Sequence, residues 1–391
     1  MDDEKESFES RRSFEHIDKL AYEIGPREAG SERSGQAAEY IKKQFEGYDL
    51  ETEFQNFEFI GKVIKARLKA GILLIAFILA FLVNFYFGSL IALIIGGAGI
   101  GLAFILPKAL PKEKDRNVIG TLKPKEKIKK RIIVGAHYDS ARCVRGRIWT
   151  ILFRMLQPLI LTIFVVFLIG LFLSRNSSLL GWLIIAVFYF FTFSIPLWIF
   201  ERLVSPGADD NASGVSVMLE VARVLSESPL ENVEVKFVAF GAEEQGLIGS
   251  DYFSKNSNAS DFLFNIDTVG SGDELSIVEG NGVIRKHRTS SELKNRISKN
   301  EKISVYWAPF SGYDHIPFIK RGMKAVTLSS FENIEKNTLD HFLEKVFKLT
   351  NVQTIRHSQL HTVEDEPEKI KLENIRRAGE ITLNMLGAED D

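Results

Sequence analysis

Two histidines and several acids stand where a polypeptide can hold metal ions and move protons. They lie in five short segments: GAHYDS (135–140), GADDNASG (207–214), FGAEEQGLIGS (240–250), NIDTVG (265–270) and HTVEDEP (361–367). The segments follow strand-like stretches, which is where open α/β sheets carry their ligands. Singly, each has a structural explanation. A histidine after a strand packs against it, adjacent acids such as Asp209–Asp210 or Glu243–Glu244 cap helices or face water, and Asp267 suits a strand-end turn. Together they form a donor set of imidazole nitrogen and carboxylate oxygen, which suits zinc and also admits manganese or cobalt. Two metals about 3.5–4 Å apart need one carboxylate to bridge them, and hydrolysis needs another left unbound as a base. Glu243 and Glu244, pointing different ways from one turn, supply a binder and a base. Cys143 is the only cysteine, so an intrachain disulfide framework is excluded.

The elements that must position these groups follow a strand–helix alternation. A helix is expected over Phe14–Ile24, capped by Ser13 and ended by Gly25-Pro26, and a second over Ser31–Phe45. An alternating strand, LETEFQNFEF, comes next, then strands at Asn117–Leu122, Arg131–Ala136, Val233–Phe240 and Asp261–Asp267, with a helix at Ser213–Ser226. The pattern predicts an α/β fold with a helix-covered, mostly parallel mixed β-sheet.

Two apolar blocks interrupt it. Ala70–Leu106 contains no charged residue, and Ile151–Phe200 is broken by SRNSS at Ser174–Ser178. One membrane crossing takes roughly 20 residues, so each block predicts an inserted transmembrane helical hairpin, four transmembrane helices in all. The expected division is catalytic parts at 1–66, 113–141 and 203–391, with hairpins at 67–112 and 142–202. Lysines and arginines cluster on the polar side of both blocks, and the other side offers only Arg175. The expectation is therefore a multi-pass protein in the lipid bilayer, its catalytic part and both termini cytoplasmic. The first residues, MDDEKESFESRRSFEH, hold no apolar run of the signal-peptide kind. A net charge of −2 gives no reason to expect a nucleic-acid partner.

The five segments, in order, resemble the co-catalytic di-zinc aminopeptidases, metallopeptidase family twenty-eight. That pattern is a His-x-Asp after a strand, an Asp-Asn turn ending in Gly, a Glu-Glu pair, a later Asp and a C-terminal His-Thr. IGPREAGSERSGQAAEYIKKQF is similar to the family's opening helices and RNVIGTL to the strand before the His-x-Asp, so the resemblance covers roughly 10–66, 113–141 and 203–388. It implies two zinc ions, with His137 and Asp267 on one, Glu244 and His361 on the other, and Asp210 bridging. It further implies that Asp139 orients His137, that Asp209 is a neighbour and not a ligand, and that Glu243 is the general base acting on a metal-bridging water. The implied activity is removal of N-terminal residues from peptides. A glutaminyl cyclase-like acyltransferase with a single zinc, and a non-enzymatic membrane scaffold of the same fold, are the alternatives. Two departures stand out. The family's SerAspHis-x-ProPhe segment reads SGYDHIPF here (311–318), so Tyr313, Asp314 and His315 are either substrate contacts or a structural turn. Leu360 replaces the family's tyrosine before the last histidine, so that transition-state donor comes from elsewhere or is absent.

Overall fold

The computed structural model describes residues 7–62, 89–143, 203–300, 303–332, 335–354 and 359–388, with 64, 65, 68, 69, 71, 72, 75, 76, 79 and 83. It divides into two compact units: Met1–Phe57, Lys114–Ala141 and Val204–Asp391 form the first, Glu58–Glu113 and Arg142–Leu203 the second. The strands are β1 (Glu51–Phe59), β2 (Glu113–Leu122), β3 (Lys130–His137), β4 (Arg142–Cys143), β5 (Leu203–Val204), β6 (Val233–Phe240), β7 (Phe262–Ile266), β8 (Glu274–Asn281), β9 (His287–Arg288), β10 (Ser304–Ala308) and β11 (Lys324–Phe331). Nine of them build one sheet, ordered β1-β2-β6-β3-β7-β11-β8-β10 with β9 on β8, while β4 and β5 pair separately. β6, β3, β7 and β11 run parallel, β2 and β8 are antiparallel to their neighbours β6 and β11, and β10 runs parallel to β8.

The helices are α1 (Ser10–Asp18, continuing as a wider coil over Lys19–Ile24), α2 (Glu32–Gly47), α3 (Ser89–Ile105), α4 (Gly214–Glu227), α5 (Ile248–Ser254), α6 (Ser291–Asn300), α7 (His315–Lys320), α8 (Thr338–Phe347) and α9 (Leu372–Gly387). Central strands are apolar on both faces because both are covered. Ile132, Val134 and Ala136 of β3 enter one core with Ile17 of α1, Phe45 of α2, Val217 of α4 and Ile375 of α9. Ile133, between them, enters the other with Phe253 of α5 and Phe318 of α7. Gly135 leaves room for the neighbouring strands: a Cβ there would lie 2.5 Å from Phe240 Cε2 and 3.0 Å from Leu263 Cδ1. The mixed α/β architecture with a largely parallel centre is thus the one the alternation predicts. Ser13 is a correction. It is buried inside α1, which starts at Ser10, whereas Ser31 caps α2 by accepting from Ser34 N.

The transmembrane expectation is corrected as well. Among the described residues no helix is long and apolar enough to cross a membrane. The apolar helix α3 has 17 residues, a rise of about 26 Å against a hydrocarbon core of about 30 Å. The fold class is therefore corrected to the mixed α/β fold, with no membrane-crossing helix among the described residues. The membrane-bound, multi-pass localisation and the lipid-bilayer partner lose their support as well. The expected second hairpin, 142–202, lies outside the described residues from 144 to 202, as does much of the first block between 70 and 88.

One buried contact in α1 has a pH consequence. His16 Nδ1 meets the Tyr40 hydroxyl of α2 at 2.6 Å, and burial, helped by Arg12, lowers His16 from 6.5 to about 4. A depressed histidine contributes stability that is complete above the unfolded value and is lost as pH falls from 6.5 towards 4. Between pH 7 and 5 this amounts to about 2 kcal/mol. Urea unfolding at both pH values should therefore show a drop in the parent chain that is smaller by about that amount in His16→Gln; equal drops would refute the assignment.

Candidate metal centre

Parallel pairing brings three of the five segments to one edge of the sheet. His137 closes β3, Glu243 and Glu244 lie in the turn after β6, and Asp267 directly follows β7. Residues of β3 pair with residues 130 positions later in β7, from Ile132↔Phe262 to Gly135↔Asn265. Carried two steps on, that register sets His137 beside Asp267. Asp210 arrives on the turn Ala208–Ser213 before α4, and His361 on the loop before α9.

The side chains converge as two groups that share one residue: His137, Asp210 and Asp267, and Asp210, Glu244 and His361. His137 Nε2 lies 3.1 Å from Asp210 Oδ1 and 3.9 Å from Asp267 Oδ2. His361 Nε2 lies 3.0 Å from Asp210 Oδ2 and 3.0 Å from Glu244 Oε1. The two Asp210 oxygens thus face different imidazoles. Donors at zinc-bond length on a tetrahedral ion stand about 3.4 Å apart, so these spacings suit zinc. The chemistry agrees, since buried carboxylates this close together need a cation. Within the protein's own groups, Asp210 is held well below the usual carboxylate range: burial opposes this, and His137 and His361 outweigh it. Glu243 belongs to neither group. Burial pushes it well above the usual range, with Glu244 and Asp314 adding to the effect against His137.

Hydrogen bonds to the main chain hold these turns. Asp139, expected behind His137, has its carboxylate on the glutamate pair, accepting from Glu243 N at 2.9 Å and Glu244 N at 3.1 Å. His137 Nδ1 meets the Asp139 main-chain carbonyl at 3.1 Å and stands 3.6 Å from its carboxylate. Asn211 joins the Asp210 turn to the end of β7: its Nδ2 donates to Ile266 O, and its Oδ1 accepts from Gly214 N and Thr268 N. Asp209 accepts from Gly270 N, Ser271 N and the Ser271 hydroxyl, which fixes the loop after Asp267. Ala242, Thr268 and His361, each in or beside a site turn, have φ of +56°, +59° and +56°. Such backbone is uncommon outside glycine and clusters at functional sites.

Two residues of the site carry no signal in the sequence. Asp365 is one of three acids in HTVEDEP, yet its carboxylate reaches back to accept from Asp209 N at 2.7 Å and Asp210 N at 3.1 Å. Arg27, in the opening GPREAG, is fully buried beneath the Asp210 turn and donates to Gly207 O at 2.8 Å. Tyr313, Asp314 and His315 are buried. The Tyr313 and His315 rings stack at 5.7 Å, Tyr313 bonds the Tyr306 hydroxyl and His315 Nδ1 meets Thr327 Oγ1 at 2.6 Å. Neither Asp314 oxygen has a hydrogen-bond partner among the described residues. Burial pushes Asp314 up to about 7.

The sequence model of peptidase family M28 matches residues 192–386. Aminopeptidase YwaD of Bacillus subtilis is 32% identical over 190 residues, 45% of this chain and 36% of that protein. Aminopeptidase Y of Saccharomyces cerevisiae is 30% identical over 146 residues, 35% of this chain and 26% of that protein. The chain thus spans about a third or less of the curated relatives it matches. Among solved structures, a zinc aminopeptidase from Bacillus subtilis shares the fold with a TM-score of 0.58 at 19% identity, covering 98% of this chain and 95% of its own.

The Asp365 contacts make a direct prediction. Asp365→Ala strands two buried N–H groups, each costing about 1–3 kcal/mol. Urea unfolding of the full chain should show a loss of about 2 kcal/mol or more, and an unchanged midpoint would contradict the role.

Proposed function

We propose, from the match of residues 192–386 to the sequence model of peptidase family M28, that the protein is a zinc-dependent aminopeptidase holding two zinc ions. The observation that carries the reading is the pair of donor groups joined by Asp210, one carboxylate oxygen toward each imidazole. His137 and Asp267 would hold one ion, Glu244 and His361 the other, with Asp210 shared. Zinc bound there would supply Lewis acidity, polarising the scissile carbonyl and making a water acidic enough to attack near neutral pH.

The chain's own residues do the rest. The Glu243 carboxylate takes a proton from the attacking water as the new C–O bond forms. It returns that proton to the leaving nitrogen as the C–N bond breaks, releasing an amino acid and a peptide one residue shorter. A carboxyl raised by burial suits a group that must both accept and donate near neutral pH. Asp139, through Glu243 N and Glu244 N, keeps the base and the binder on one turn. The substrate approaches from the His361–Glu244 side, where 18% and 13% of the side chains are exposed, against 1% and 6% for His137 and Asp267. Asp314, buried between Tyr313 and His315 in the chain, would contact the substrate's first residue. The names of the two curated relatives support amino-terminal trimming over other cleavage.

Metal content separates this reading from a single-zinc cyclase and from a scaffold. Purified protein should carry two equivalents of zinc and release the first residue of peptides with a free amino terminus but not of acetylated ones. One equivalent would favour the cyclase and none the scaffold. Glu243→Gln should lower hydrolysis at least about 100-fold while retaining both metals; an active variant would remove Glu243 from the base role. Asp210→Asn should lose metal together with activity, because both sites share that carboxylate.

A further inference from the structure

Arg27 is a fully buried cation whose guanidinium meets five main-chain carbonyls. Its Nε donates to Tyr138 O at 2.9 Å, Nη1 to Leu20 O at 2.7 Å, Pro206 O at 2.8 Å and Gly25 O at 3.3 Å, and Nη2 to Gly207 O at 2.8 Å. The main chain beside it is tied in too: Arg27 N donates to Ser140 Oγ at 2.9 Å, and Ser140 N to Arg27 O at 3.1 Å. Ser140 Oγ donates in turn to Ser205 O at 2.9 Å, and Ser205 N to Ala141 O at 2.8 Å. Tyr138 directly follows His137, and Gly207 stands three residues before Asp210. Between these points the chain leaves the first unit at Ala141 and re-enters it at Val204.

Covalent connection therefore does nothing local to set His137 against Asp210. Their 3.1 Å separation is set across the gap, and the planar Arg27 guanidinium bonds the main chain on both sides of it directly. Lysine carries its three donors on a single nitrogen, so it cannot bond all five of these carbonyls from the spread positions of the guanidinium fork. The space admits little else. Gly207 has φ +64°, and a Cβ there would lie 2.9 Å from Arg27 Nη2 and 2.6 Å from Asp210 O.

We propose that Arg27 is a positioning residue of the metal centre: it clamps the main chain beside His137 to the main chain before Asp210 and so sets the ligand geometry across the excursion of residues 142–203. The inference rests on the metal-site reading above. Its role is distinct from stability alone, because loss of the clamp should change how a metal is held in protein that is still folded.

The test uses the full chain, freed of metal and loaded with cobalt, whose visible absorption reports ligand geometry, alongside zinc affinity from chelator competition. Arg27→Lys should alter the shape of the cobalt spectrum and weaken zinc roughly 10–100-fold, the range for residues that support ligands from behind. Glu220→Gln is the control. It breaks a buried pair with Arg223 that ties down the N-terminal segment through Glu9 N and Ser7 O. It should lower the unfolding midpoint while keeping the parent spectrum and affinity. Where Arg27→Lys does not fold, Ser140→Ala carries the test, since it cuts the same clamp at its second tie and should shift the spectrum the same way. A folded Arg27→Lys, or failing that Ser140→Ala, with the parent's spectrum and affinity would overturn the proposal. A parent chain that takes up no cobalt or zinc would instead refute the metal-site reading and this inference with it.

Discussion

Carboxylates crowded into a dry space repel one another and lose their hydration, and most of the unusual structure in the first unit answers that difficulty. Asp139, Asp209, Asp210, Asp267 and Asp365 are all buried at one edge of the sheet. Three of them are satisfied by peptide N–H groups: Asp139 by the glutamate pair, Asp209 by Gly270 and Ser271, Asp365 by Asp209 and Asp210. These acids are structural, and each pins a turn that presents another acid. Asp210 and Glu244 are met instead by imidazole nitrogen. A protein that supplies donors to some buried anions and leaves others facing histidines has separated the anions that build its turns from those left able to meet a cation.

The sheet supplies the other half of the arrangement. Because β6, β3 and β7 are adjacent and parallel, their ends open on the same edge, and each brings one of the candidate ligands there. Aromatic packing beneath one of these turns keeps it firm: Phe240, the last residue of β6, contacts Phe253 and Phe318 at ring distances of 5.9 and 6.2 Å. The polar turn thus rests on an apolar base, and the precision of the site derives from packing several residues away.

Much of this is legible in the amino-acid sequence alone. RIIVGA and VEVKFVAF are β-branched or aromatic runs too short for helices, and they form β3 and β6. The five segments are visible as a set because each carries a type of residue that seldom gathers without a reason. Other features are closed to sequence reasoning for definite causes. Arg27 acts on carbonyls, which every residue possesses, so nothing in its neighbours marks it. Asp365 is one acid among several, and only tertiary contact selects it. The positive φ at Ala242, Thr268 and His361 is imposed by surroundings and goes against the preference of the residues themselves. Among the described residues, the first apolar block misleads differently. Hydropathy measures the solvent a segment prefers, whereas a crossing also requires continuous helical length, and α3 is too short to provide it.

The constant offset of 130 residues between β3 and β7 bears on how this chain can change over evolutionary time. Side chains alternate across a strand, so inserting or deleting one residue within β3 turns its remaining side chains to the opposite face. His137 would then leave Asp267, and both cores would receive the wrong residues. A change of length after His137 disturbs neither face. Lineages descended from such a chain are therefore free to lengthen the connections at the ligand-bearing edge by tens of residues, while the strands behind that edge stay frozen in length to the single residue.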